Sequence, residues 1–166
     1  MHPLEALHED HRAFKVRFDA MEARLDAAMN ARQLAPEALE AFRADLGFMR
    51  GPMLNHFRTE DEVLLPAVER RIGRFGDSLV EILWQEHREL RRAADKFDEA
   101  LTAMATRPGD QAVDELNRYG LFFVQVLQDH IRKEETAFFE TARKSLSPED
   151  WAGVEAQMQA RRDTTR

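Results

Sequence analysis

The sequence predicts an all-α protein: an up-down-up-down antiparallel four-helix bundle with a short additional C-terminal helix. Three observations carry this. Apolar residues recur at alternating steps of three and four over four long stretches, the repeat of one helix face. Glycine and proline are scarce, at seven and six of 166 residues, and several of them fall between those stretches. The first and third connections are short, which sets consecutive helices antiparallel.

The first helix spans Pro3 to Asn30, with Leu4, Leu7, His11, Phe14, Phe18, Met21, Leu25 and Ala28 on its inner seam. Pro3 suits a first-turn position, where its missing N–H costs nothing. After a connection over Ala31–Pro36, the second helix runs from Pro36 to Leu65, its seam being Leu39, Phe42, Leu46, Met49, Met53, His56, Glu60 and Val63. Gly51-Pro52 predicts a kink or local unwinding one turn before His56. Pro66 and the Gly73–Gly76 segment end this helix, with room for one further turn through Ala67–Arg71.

Asp77 or Ser78 caps the third helix, which reaches Arg107 and carries Val80, Leu83, His87, Leu90, Ala94, Phe97, Leu101 and Met104. Pro108-Gly109-Asp110 is a turn. The fourth helix carries Val113, Leu116, Gly120, Phe123, Leu127, His130, Glu134 and Ala137. Ser147-Pro148-Glu149-Asp150 starts the last helix, with Ser as cap and Pro in first position. Its narrow stripe of Trp151, Val154 and Met158 packs either on the bundle or on another subunit, the second option making a homo-oligomer. Residues 1–145 thus form the bundle, and 146–166 the short helix and a frayed tail over Arg161–Arg166.

Composition limits the function. A chain of this length buries a sizeable core as one domain. No cysteine is present, which excludes disulfides, thiolate metal sites and cysteine nucleophiles. The net charge of −7 argues against nucleic acid or an anionic membrane as partner. The longest uncharged run, between Arg118 and Asp129, is too short to span a bilayer. The N-terminus lacks the features of a signal peptide, so a soluble cytoplasmic protein is expected. No nucleophilic triad or phosphate loop is present.

Each of the four seams carries one histidine, and two also carry a glutamate. His56-Phe57-Arg58-Thr59-Glu60-Asp61 recurs as His130-Ile131-Arg132-Lys133-Glu134-Glu135, and in a helix His and Glu four apart share a face. Counting along the helices aligns these groups. His11 and His56 lie about 22 and 23 residues either side of Gln33, and His87 and His130 about 21 and 22 either side of Pro108. His56 and His87 are each about 15 residues from Ile72. All four imidazoles therefore fall at one level of the core, with both glutamates one turn away. Leu7-x-x-Asp10-His11-Arg12 also resembles Leu83-x-x-Glu86-His87-Arg88, which suggests two helix pairs related by a pseudo-two-fold axis.

A lone seam histidine is commonly a hydrogen-bonded core residue. Two buried glutamates are harder to place, because an unpaired buried carboxylate costs several kcal/mol or stays protonated. No seam position holds Lys or Arg; Lys15 and Arg91, at the seam edge, are the cations placed to compensate. A metal site formed by His11, His56, Glu60, His87, His130 and Glu134 accounts for all six. Mixed imidazole and carboxylate ligands suit iron, manganese or zinc rather than calcium. The pseudo-symmetry suggests two metals, each with two histidines, bridged by the two glutamates. The ferritin-like pattern needs Glu-x-x-His on two helices, and only Glu5-x-x-His8 has that spacing.

Over roughly residues 4–142 the chain resembles the hemerythrin family, the bacterial HHE cation-binding domains. The residues carrying the resemblance are Asp10-His11, His56-x-x-x-Glu60 with Val63-Leu64-Leu65-Pro66, Glu86-His87, and His130-x-x-x-Glu134 with Phe138-Phe139. The resemblance implies a centre of two iron ions with an oxo or hydroxo bridge. His11 and His56 would bind one iron, His87 and His130 the other, with Glu60 and Glu134 bridging. It implies a protein that binds or senses O2 or a related small molecule, a diatomic or peroxide. The alternatives are an enzyme turning over peroxide or NO, an iron- or redox-responsive regulatory bundle, and iron storage. The O2-carrying members place a fifth histidine where this chain has Leu83. Each iron would then keep an exchangeable position, which favours peroxide, NO or redox chemistry over O2 carriage. His8, one turn before His11, is the alternative source of a fifth nitrogen.

Asp10, Asn55, Glu86 and Asp129 each precede a seam histidine and are candidates to accept the outer N–H of a ligand histidine. Residue i−1 sits about 100° around the helix, so each would serve the histidine of an adjacent helix. Phe14, Phe18, Phe123 and Phe138 are expected to pack the core. Tyr119 lies three turns from His130, too far to be a ligand.

Overall fold

Helix α1 (Pro3–Ala31) begins on a reciprocal cap: the His2 side chain accepts from the Leu4 N–H, and Glu5 reaches back to the His2 N–H. It closes at Arg32, whose left-handed backbone (φ 54°) places the guanidinium on Asp110 and Asp114 at 3.1 and 2.8 Å. The structure is a computed structural model that describes residues 1–73 and 78–164. The predicted turn over Arg74–Gly76, the Asp77 option for the third cap, and the tail's Thr165 and Arg166 lie outside the described residues.

The second rod is one helical path made of α2 (Pro36–Phe48), a π turn (Met49–Met53), α3 (Leu54–Thr59), a second π turn (Glu60–Leu64) and α4 (Leu65–Ile72). The unwinding predicted at Gly51-Pro52 is the first π turn, which widens the ladder where the Pro52 ring would strike the carbonyl of Phe48. Pro66 does not end the rod. It sits in the first turn of α4, just past the second wide turn, and the rod continues to Ile72. Gly73, at φ 79°, ends it.

Helix α5 (Leu79–Thr106) is capped by Ser78, whose Oγ accepts from the Glu81 N–H at 3.3 Å. Helix α6 (Asp110–Lys133) runs through a π turn (Glu134–Phe138) into α7 (Phe139–Ser145). Helix α8 (Pro148–Thr164) starts on the predicted box: the Asp150 N–H donates to Ser147 Oγ and the Ser147 N–H to Asp150 Oδ2. No helix among the described residues is long and apolar enough to cross a membrane.

The rods form an all-α bundle in which each packs on two neighbours: α1 on α2 and α6, α5 on α2 and α6. Cross-contacts give the directions. Arg24 pairs with Asp45 while His11 meets His56; Arg50 pairs with Asp95 and Asp98 while Asp61 meets His87. Arg32 reaches Asp110 while His11 reaches Glu134. In each pairing one chain number rises as the other falls, so these neighbours run antiparallel.

Two apolar clusters fill the interior. One holds Phe18, Met21, Leu25, Phe42, Phe97 and Leu116. The other holds Leu4, Leu7, Leu64, Leu83, Phe138 and Phe139. Val154 and Met158 of α8 are buried in the second cluster and Trp151 packs against it, so the α8 stripe lies on its own bundle. Burying a side chain of this size contributes about 1.5–3 kcal/mol, which lets the core carry a polar layer between the clusters.

Gly120 allows a close approach of α6 to α1: a Cβ there would lie 2.7 and 2.9 Å from the Leu25 methyls. Leu25 is fully buried, with little room to retreat. Gly120→Val is therefore expected to cost about 1–3 kcal/mol through overpacking, read as a lower urea midpoint of the metal-free protein. An unchanged midpoint would refute the close packing.

Candidate metal centre

Between the two clusters the rods bring together all six predicted residues. His11 comes from α1, His56 from α3, His87 from α5 and His130 from α6, while Glu60 and Glu134 each open a π turn. None is more than 4% exposed. They fall into two overlapping groups, His11–His56–Glu60–Glu134 and Glu60–His87–His130–Glu134, in each of which one ligating atom per residue lies within 4.8 Å of the others. Both carboxylates belong to both groups. Glu134 turns Oε2 to His11 at 3.1 Å and Oε1 to His130 at 3.0 Å; Glu60 Oε2 is 3.4 Å from both His56 and His87.

The wide turns at the two glutamates have a common cause that is not proline. In each, the glutamate carbonyl accepts from the N–H five residues on, Leu65 or Phe139. The first is followed by Pro66, but the residue in the same place of the second is Glu140. What the turns share is a buried glutamate and an apolar pair just after it. The extra residue per turn shifts the inner face, so that Leu64 and Leu65 are both buried, as are Phe138 and Phe139. Ala137, expected on the seam, is exposed for this reason. Adjacent apolar pairs in a three-and-four pattern were the available signal.

The outer nitrogens fix the chemistry of the inner ones. His11 Nδ1 bonds Glu135 at 3.0 Å, His56 Nδ1 bonds Asp10 at 2.9 Å, His87 Nδ1 bonds Asp61 at 2.6 Å and His130 Nδ1 bonds Glu86 at 2.9 Å. A carboxylate only accepts, so each Nδ1 donates, and each neutral imidazole turns the lone pair of Nε2 inward. The Nε2 atoms meet in pairs, His11 with His56 at 3.2 Å and His87 with His130 at 3.0 Å. All four oxygens of Glu60 and Glu134 are buried without an aligned hydrogen-bond donor; the imidazoles are near enough for charge to act but poorly aimed. The cage is built of acceptors and needs a cation.

Protons meet that need when nothing else does. Burial by itself lowers His56, but the charge of Glu60 and the contacts with Asp10 and Glu60 outweigh it and hold the imidazolium up at about 10. Burial likewise opposes the charged form of His87, yet Asp61, Glu134 and Glu60 raise it well above the ordinary histidine value. Glu134 is held well below the usual carboxylate range: burial would raise it, but the charge of His130 and the nearness of His11 and His87 prevail.

The outer carboxylates follow the predicted adjacent-helix rule, with two changes of residue. Asp10 and Glu86 each serve the histidine of a neighbouring helix. Asn55 and Asp129 do not: both are exposed, and Asp129 pairs with Arg132. Their places are taken by Asp61 and Glu135, the acids that directly follow Glu60 and Glu134, at the end of the repeated His-x-Arg-x-Glu-acid motif. Arg91 bonds Asp61 at 2.8 Å and Lys15 bonds Asp19 on the surface, so neither pairs with the inner glutamates. Leu83 is fully buried in the second apolar cluster. His8 stands outside the inner cage, its Nδ1 on Glu135 at 3.1 Å and its ring edge-on to Phe139.

Two outcomes follow. Removing an outer carboxylate typically costs about 10–100-fold in metal affinity, so Asp61→Ala should weaken binding by that factor in a chelator competition. Asp129→Ala should leave it unchanged, and equal effects would remove the distinction. The metal-free protein should also lose thermal stability as pH rises. The raised His56 stabilises the fold fully below 6.5 and progressively less toward 10. The inner glutamates, with lowered values, are ionised throughout that window and add no slope. A melting temperature that is flat or rising over this range would contradict the protonated cage.

No curated protein matches the chain significantly. A family model does: that of the hemerythrin HHE cation-binding domain, over residues 2–142. The match takes in every residue of the cage and its outer carboxylates, and a cation-binding domain is what an all-acceptor cage requires. The chain belongs to the hemerythrin HHE cation-binding domain family.

Proposed function

We propose that the chain is a non-haem di-iron protein that binds or senses O2 or a related small molecule, NO or peroxide, in the bundle core. His11 and His56 would hold one iron, His87 and His130 the other, and Glu60 and Glu134 would bridge them. The observation that carries this reading is the set of inward acceptors, four Nε2 lone pairs and two carboxylates without aligned donors. The Nε2 atoms lie 3.2 and 3.0 Å apart within the two pairs, near enough for each pair to hold one metal ion at the roughly 2.0–2.1 Å of a metal–nitrogen bond. The mixed nitrogen and oxygen set favours iron, manganese or zinc over calcium.

The chain's own residues prepare the site. The outer carboxylates fix the tautomer and the tilt of each imidazole. Phe57 stacks on His87 at 4.5 Å and Phe139 on His11 at 5.7 Å, which excludes water from both faces of the layer. Iron held there would supply electrons and open coordination positions to a small ligand. Buried Leu83 offers no nitrogen where O2-carrying members have a fifth histidine, and His8 is engaged with Glu135. An exchangeable position on each iron favours a second reading, turnover of peroxide or NO.

Metal analysis, with optical spectra of the anaerobically reduced protein exposed separately to O2, H2O2 and NO, tests both readings. Two irons per chain with reversible O2 bands support binding. Irreversible oxidation with turnover of H2O2 or NO supports the enzyme. A protein that takes up no metal would end both.

A further inference from the structure

The inner residues are so fully buried that a cation reaching them has to pass the outer carboxylates, and these four are not alike. On the His87–His130 side both are tied to cations: Asp61 to Arg91 and Glu86 to Lys133. A fixed positive charge there repels an incoming divalent ion. Asp10, beside His56, opens into a cavity of about 410 Å³ that Arg161 and Arg162 also line. What sets Glu135 apart from the other three is that two imidazoles share it: its Oε1 lies 3.1 Å from His8 Nδ1 and 3.0 Å from His11 Nδ1, and among the described residues it has no lysine or arginine partner.

His8 and Glu135 are 33% and 36% exposed, whereas His11 is buried. The three therefore run from solvent to the cage with one nitrogen or oxygen of each within 4.8 Å of the others; His11 Nδ1 donates to Glu135, so the groups open to an incoming ion are His8 and Glu135. Among the described residues the other half of the bundle has no such path. The counterpart of His8 there is Trp84, whose indole has a donor but no lone pair for a metal.

We propose that His8 and Glu135 form a landing site for a divalent transition-metal ion, from which the inner cage is loaded past His11. The proposal rests on the reading of the cage as a metal centre. One imidazole and one exposed carboxylate are a ligand pair that iron(II) and its neighbours accept, and the charge of Glu135 draws cations to this face. Once the ion has moved inward, Glu135 remains bonded to His11 Nδ1–H and orients it.

The test is anaerobic uptake of cobalt(II) by the metal-free full-length chain, followed by stopped-flow absorption, in wild type and His8→Phe. Phenylalanine keeps the edge contact with Phe139 and removes the nitrogen. The expected result is uptake about tenfold slower, as if the lost nitrogen were worth about 1.4 kcal/mol in the landing step, with the same final stoichiometry and spectrum. An unchanged rate overturns the proposal. A lower stoichiometry or an altered final spectrum also overturns it, since His8 would then belong to the finished centre. If wild type binds no cobalt, the metal reading of the cage fails, and that failure is distinct from either of the others.

Discussion

The structure depends on a layer of acceptors held inside an apolar core. Four imidazoles and two carboxylates, all nearly inaccessible to water, converge with lone pairs facing one another. Such a layer is unfavourable alone, because each group loses hydration and gains no donor. It persists because apolar clusters on both sides bind the rods together regardless of what the layer contains. The layer's own demand is met by positive charge, whether as protons on the histidines or as metal ions.

The outer carboxylates turn that demand into a specific chemistry. By accepting from Nδ1 they leave Nε2 as the only inward atom, so four independent side chains present the same face to the centre. They also hold the helices in register, since each links one rod to the histidine of another. The pseudo-two-fold relation extends to this outer ring: Asp10 answers to Glu86, and Asp61 to Glu135. It breaks down one step further out, where Arg91 and Lys133 neutralise one side and His8 joins the other. The two halves thus offer equivalent inner ligands inside unlike electrostatic surroundings.

Local backbone geometry serves the same layer. Among the described residues three wide turns interrupt the rods, and the two halves differ in a way that separates their causes. The turn at Pro52 has no counterpart in α6, which stays regular through Phe123 and Leu127, so proline accounts for it. The turns at Glu60 and Glu134 occur in both halves with and without a proline. There the wide turn lets a helix place a carboxylate in the centre and then rotate its next apolar pair into the second cluster.

Much was legible in the chain before folding was considered. The three-and-four repeat located the rods, and equal spacing of His11, His56, His87 and His130 from the turns fixed their common level, because helical rise is constant. The cap at Ser147 was readable because it is local chemistry. What the sequence misplaced depends on rotation about helix axes. Asn55 and Asp129 precede histidines just as Asp10 and Glu86 do, yet they face solvent, and Asp61 and Glu135 take their part. Ala137 leaves the seam and Phe139 joins it because a π turn adds a residue to one turn. Spacing along a helix determines height, and the sequence carries it. Which way a side chain points across to a neighbouring rod depends on how two rods are rotated against each other, and only their packing decides that.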